Sequence, residues 1–367
     1  MAQKMVTYFK DFLREIRLTE NQVNELKNAH TTLRNRLSED EELSKIVETT
    51  FLQGSYRRST AVRPKNGKRS DVDIVVVTKM DKDEVEPETA LDVFEPFLKK
   101  HYDGKYRKQG RSWGIEMSHV DLDIVPTAST SLAESGILEN SILSSNDEIE
   151  EMDNKATMFA EKYTNDMWYR DYMVFFSASK DEWKEEPLYI PDWKAELWDK
   201  THPLEQIRWT QDKNKKCNGH YVNVVKCIKW WRKEKFSDVE KPKSYPLEHF
   251  IGDCCPDGIS SVAEGITLTL EAIVNDYPDK PFLADRGVPE HDVFAKVTEE
   301  EYTAFYESVC EAAVIARNAY DAKTVEDAAA EWRKLFGNKF PEPPKKACAA
   351  FTKRESGSGN ISGGRFA

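Results

Sequence analysis

Gln53-Gly54-Ser55, with Asp71-Val72-Asp73 beginning sixteen residues after Ser55, constrains this chain more than any other feature. Pro64, Asn66 and Gly67 mark a loop between the two pieces. Ser70 to Val77 is a mostly apolar run that reads as a strand. Side chains alternate across a strand, so Asp71 and Asp73 project to one face while Val72 and Ile74 pack behind them. Paired carboxylates suit Mg²⁺, a hard cation whose shell is completed by water and substrate phosphates. A glycine-serine turn that brings backbone close to phosphate, just upstream, predicts chemistry on a nucleoside triphosphate.

A second strand adds a third carboxylate. Val120-Asp121-Leu122-Asp123-Ile124-Val125-Pro126 again places two aspartates on one face. Asp123 is the expected third metal ligand and Asp121 the reserve. Acidic residues in strands ordinarily face solvent, and one Asp-x-Asp would not overcome that reading. Three elements in this order do.

Composition narrows the partners. The 367-residue chain can bury a large core, and its length suggests two domains. No apolar run is long enough to span a bilayer, and Met1-Ala2-Gln3-Lys4-Met5 lacks an apolar signal core. Cysteines 217, 227, 254, 255, 310 and 348 show no disulfide framework, which fits a reducing cytoplasm. His249 near Cys254-Cys255, and Cys217 near His220, lack the Cys-x₂-Cys spacing of a zinc site and read as buried free thiols. The formal net charge of −12 argues against an extended nucleic-acid surface and for small nucleotides as substrates.

Along the chain, Tyr8, Phe9, Phe12, Leu13 and Ile16 recur at helical spacing, and Thr19 with Gln22 forms a capping box for a helix to about Leu37. A short helix near Glu41–Glu48, a helical stretch from Pro87 to Leu98, and strands near Lys105–Lys108 and Trp113–Met117 complete a mixed sheet with helices on one side. The fold class is therefore α+β. Residues 146–200 read as an irregular bridge, and everything from Pro203 to about 337 as helical, with a second capping box at Thr298 and Glu301. These boundaries give a core at 1–200 with N-terminal spine helices, a helical lobe at 201–345, and a flexible Gly/Ser-rich tail at 346–367.

The helical half supplies a second set of polar groups. Lys229 lies beside Trp230-Trp231, with Lys226 and Lys233 on the same stripe. Lysines so spaced ordinarily line a wet helix face. Ser244-Tyr245 offers a hydroxyl for phosphate and a ring for base stacking. Arg57, Arg58 and Arg63 surround the Gly-Ser turn, and the sequence does not choose among them.

Together, Gly54 to Arg63, Asp71-Val72-Asp73-Ile74, Leu122 to Pro126, Cys227 to Trp231 and Lys243-Ser244-Tyr245 resemble the bacterial cGAS/DncV-like nucleotidyltransferases, or CD-NTases. The resemblance spans about residues 8 to 340. It implies a polymerase-β-like core and a helical lobe with the active site in the cleft between them. It implies joining of ATP, and GTP or another NTP, into a cyclic oligonucleotide, with Mg²⁺ (two ions, Mn²⁺ being an alternative) on Asp71, Asp73 and Asp123. Gln53, Gly54, Ser55, Lys229 and Ser244 would contact nucleotide, and Tyr245 would stack on a base. The family acts in anti-phage defence through a separate effector. The helical end through Gly337 most resembles clades that make cyclic trinucleotides, and the tail ending at Ala367 resembles tails conjugated by a ubiquitin-transferase-like partner. The alternatives are a cyclic dinucleotide synthase, a template-free RNA or tRNA nucleotidyltransferase, a small-molecule nucleotidyltransferase and an inactive nucleotide-binding scaffold.

Overall fold

The computed structural model describes residues 5–65, 67–128, 187–236 and 241–343. The C-terminal tail, Cys348 and most of the expected bridge lie outside them. β1 (Val47–Gln53), β2 (Ser70–Thr78), β3 (Tyr106–Lys108), β4 (Trp113–Glu116), β5 (Val120–Ala128), β6 (Leu188–Asp192) and β7 (Leu197–Thr201) form one mixed sheet. Its order is β1-β2-β5-β4-β3, with β6 paired to β5 and to β7. β2 and β5 run parallel, in register from Ser70↔Val120 to Thr78↔Ala128.

Strand alternation decides what each face does. Val72, Ile74 and Val76 of β2, with Val120, Leu122 and Ile124 of β5, are buried in one cluster. Covering them are Leu26, Leu33 and Leu37 of α2 (Glu20–Glu39), together with Leu91, Phe97 and Leu98 of α5 (Pro87–Asp92) and α6 (Glu95–Tyr102). Burial of each such side chain contributes roughly 1.5–3 kcal/mol. The opposite face begins with carboxylates and turns apolar, where Val75 and Val77 join Phe51, Leu188 and Leu204. Helices α2, α5 and α6 cover the first face, while Leu204 of the helix Pro203–Lys216 reaches the second, so the sheet is not covered from one side alone.

The first helix, α1 (Val6–Ile16), belongs by sequence position to the 1–200 segment, yet its apolar face packs elsewhere. Phe9 meets Trp332 edge-on at 5.1 Å, and Phe12 stacks on Phe336 at 4.6 Å. It shares a core with the helical body: α7 (Pro203–Lys216), α8 (Tyr221–Lys235), α9 (Ser244–Cys254), α10 (Val262–Asp276), α11 (Glu299–Asp321) and α12 (Val325–Phe336). Both expected capping boxes are present, at Thr19/Gln22 and Thr298/Glu301.

Three expectations need correction. Residues 188–201 form the β6–β7 hairpin rather than irregular chain. Pro191 lies within β6, which meets β5 at only one register position, Ala128↔Tyr189, so the missing donor is tolerated. Residues 277–298 carry no helix, because Pro278, Pro281, Gly287 and Pro289 interrupt it. Finally, Lys226 and Lys229 are buried rather than wet. Every residue of α8 from Tyr221 to Arg232 is buried, since α1, α7, α9, α10 and α12 surround it.

Candidate active site

Parallel pairing of β2 with β5 sets Asp71 beside Asp121 and Asp73 beside Asp123, all on one face. The two β5 aspartates have different neighbours. Asp121 accepts a 2.6 Å hydrogen bond from Arg69 Nε, and the same guanidinium reaches Glu116 at 2.8 Å. Among the described residues, Asp123 accepts from a neutral donor, Gln109 Nε2 at 2.9 Å. A carboxylate already matched to an arginine has less charge to give a cation, so the geometry favours Asp123.

Asp73 and Asp123 repel. Burial, then the charges of Asp71 and Asp123, push the Asp73 carboxyl up to about 7 despite Arg58 nearby. Burial and Asp71 push Asp123 up to about 6. The nearby charges of Arg58 and Arg107 do not offset burial and repulsion at these carboxylates, and a divalent cation would supply the balance. Among the described residues no three acidic, imidazole or thiol groups already converge as a metal cage. The aspartates form an open strand face, which suits an ion whose shell water and phosphate complete.

Gly54 turns the chain with φ +77°, and a Cβ there would lie 1.8 Å from Asp73 Oδ2. Only glycine permits both the left-handed backbone and the close approach. The following turn, α4 (Gly54–Arg57), is closed by Thr60 N and Ala61 N donating to Ser55 O at 2.9 and 3.1 Å. Gly114 plays a similar part on β4, because a Cβ there would lie 2.3 Å from Gln109 Nε2 and 3.2 Å from Asp123 Oδ1.

A cavity of about 540 Å³ separates this edge from α8 and α9. Gly54, Ser55, Asp71, Asp73, Lys229, Ser244 and Tyr245 all line it. Gln53 and Asp123 do not; they flank Asp73 on β1 and β5. The lining also carries Arg58, Lys65, Lys68, Arg69, Arg232, Lys233 and Lys243, so eight cations with Lys229 face two carboxylates. An acidic chain thus holds a basic cleft of ligand size. Of the three arginines, Arg58 reaches the cleft, whereas Arg63 donates to the carbonyls of Arg17 and Arg14 at 2.9 and 3.1 Å.

Tyr245 is held from behind. Its Oη donates to Asp285 Oδ2 at 2.7 Å, and the Arg58 guanidinium sits 5.2 Å from its ring centroid. Asp285 also accepts from Gln206 Nε2 at 3.2 Å and Gly287 N at 3.0 Å. Sequence reading missed Gln109, Asp285 and Glu248. Glu248 alone left a trace, a single acid amid Pro246-Leu247 and His249-Phe250-Ile251.

Comparison with known proteins settles the family. Residues 3–137 match the Second Messenger Oligonucleotide or Dinucleotide Synthetase domain. The chain is 45% identical over 348 residues to a cyclic AMP-AMP-GMP synthase of Enterobacter hormaechei subsp. hoffmannii, covering 91% of both chains. The chain is a CD-NTase. A cyclic AMP-AMP-AMP synthase of Acinetobacter sp. is 31% identical, covering 91% of this chain and 84% of the other. Vibrio cholerae DncV, a cyclic AMP-GMP synthase solved with the linear intermediate 5′ pppA(3′,5′)pG, shares the fold with a TM-score of 0.61 at 14% identity. That match covers 91% of this CD-NTase and 97% of DncV.

The CD-NTase is accordingly a nucleotidyltransferase of the cyclic-oligonucleotide synthase family, whose members generally depend on a divalent metal. No helix among its described residues is long and apolar enough to cross a membrane.

Proposed function

We propose that this CD-NTase condenses ATP and GTP into a cyclic trinucleotide of the AMP-AMP-GMP type. The observation that carries this reading is one cleft in which the strand carboxylates Asp71 and Asp73 face cations drawn both from the segment after the Gly-Ser turn and from the helical body. Similarity at 45% identity to a cyclic AMP-AMP-GMP synthase supports the product.

Phosphoryl transfer needs alignment and charge neutralisation more than covalent help. In this reading the backbone at Gly54-Ser55 and the Lys229, Ser244 and Arg58 side chains hold the triphosphate, with Gln53 at the mouth of the turn. Tyr245 offers its ring to a base; its hydroxyl is already committed to Asp285. Asp71, Asp73 and Asp123 would hold Mg²⁺, which when bound activates a sugar hydroxyl and stabilises departing pyrophosphate. Gln109 fixes one oxygen of Asp123, leaving the other side of that carboxylate for the ion. The product would act as an anti-phage signal on a separate effector.

The test is incubation of the purified protein with Mg²⁺ and all four NTPs, then with each omitted in turn, and mass spectrometry of the phosphatase-resistant product. A cyclic product containing two AMP and one GMP is expected. A two-base ring would move the enzyme to the dinucleotide reading. Growth of an added RNA or tRNA end would overturn the proposal.

A further inference from the structure

Behind the cleft, one carboxylate gathers polar groups from both lobes. Glu248, on the second turn of α9, is 3% exposed and is not part of the cleft lining. Arg58 Nε donates to its Oε1 at 2.7 Å. Thr60 Oγ1 and Lys229 Nζ donate to its Oε2 at 2.7 and 3.5 Å. Arg58 and Thr60 belong to the turn that follows Gly54-Ser55, while Lys229 comes from α8. Arg58 and Lys229 line the cleft; Thr60, fully buried, does not.

Stability alone is a weak reason for this arrangement. A buried ion pair contributes little beyond a well-packed apolar replacement, because both charges must be stripped of water. What the carboxylate does supply is a fixed aim for two cations that would otherwise repel. Burial draws Lys229 below the ordinary lysine range, and the Glu248 charge pushes back. Burial would raise Glu248, but Arg58 and Lys229 hold it down to about 2. The carboxylate therefore stays charged, and favours the charged form of both partners.

We propose that Glu248 is a positioning residue for nucleotide binding: it aims Arg58 and Lys229 at the triphosphate and fixes the end of the Gly-Ser turn against α9 and, through Lys229, α8, without touching nucleotide. The inference rests on the reading of the cleft as a triphosphate site. Binding of a non-hydrolysable ATP analogue to the unaltered protein tests that reading separately.

The experiment measures analogue affinity by calorimetry, and kcat and KM for ATP, in Glu248→Gln, Lys229→Met, the double variant and Thr60→Val. Glu248→Gln should weaken analogue binding about tenfold. The double variant should lose clearly less than the product of the two single losses, because part of the Glu248 effect acts through Lys229 and the remainder through Arg58. Thr60→Val, which removes a donor that cannot reach nucleotide, should raise KM about threefold and lower the melting temperature by a few degrees while leaving the protein folded at the assay temperature. That milder variant decides the matter if Glu248→Gln fails to fold. Wild-type affinity in Glu248→Gln, fully multiplicative losses in the double variant, or an unmoved KM in Thr60→Val would each overturn the proposal. An unaltered protein that does not bind the analogue overturns the cleft reading and this inference with it.

Discussion

A Cβ placed on Gly54 would stand 1.8 Å from Asp73 Oδ2, so the glycine turn and the strand carboxylate are built against one another. Gly54→Ala would also force a left-handed backbone at φ +77° on a residue that disfavours it. Melting should show a loss of about 1–3 kcal/mol. Product formation should drop by about two orders of magnitude, a larger effect than the fold loss explains, because Asp73 must move.

Asp73 itself should be a site where function opposes stability. Its carboxyl is raised from 3.8 to about 7 by burial and by Asp71 and Asp123. The sign follows from linkage: between those values the folded protein keeps a proton that the unfolded chain has released, so stability falls as pH rises through the window. Asp73→Asn removes the penalty. Water screens this half-buried group, so a gain of about 1–3 kcal/mol is expected at pH 8 without metal, and almost none near pH 4. Differential scanning calorimetry at the two pH values checks it. Excess Mg²⁺ should narrow the gap, and synthesis by the variant should be undetectable.

The two β5 aspartates should separate cleanly. Asp121 is tied to Arg69 at 2.6 Å, whereas Asp123 meets Gln109 at 2.9 Å beside Asp73. Asp123→Asn should abolish product formation. Asp121→Asn should retain activity within about fivefold, since a surface ion pair of this exposure contributes about 1 kcal/mol or less. A chromatographic assay of product over time distinguishes them, and equal loss in both would assign Asp121 to the metal as well.

Much of this site was legible because its pieces are local. Asp71 and Asp73 share a strand face by alternation alone, and the glycine turn lies next to them in the chain. Asp123 could be found, but not preferred over Asp121 on charge, because Arg69 lies 52 residues from its partner. The basic cleft was invisible in a net charge of −12, which sums surface and interior alike. Lys229 could be placed beside the tryptophans, yet its stripe read as wet because helical periodicity does not reveal a helix enclosed on all sides. Asp285 was out of reach altogether: a loop residue forty positions from Tyr245 leaves no periodic mark.

Tyr245 gives the sharpest separation of ring from hydroxyl. The ring lines the cleft, while Oη donates away from it to Asp285 at 2.7 Å. Tyr245→Phe keeps the stacking surface and leaves Asp285 with Gln206 and Gly287 as donors. A stability loss of about 1 kcal/mol is expected, with KM for ATP within about threefold of the unaltered enzyme. Tyr245→Ala removes the ring, and stacking is worth roughly 1–3 kcal/mol per base, so KM should rise about tenfold or more. Steady-state kinetics on both variants, with melting measured alongside, tests the assignment: a KM that rises as much in Tyr245→Phe as in Tyr245→Ala would mean that the hydroxyl, not the ring, recognises the nucleotide.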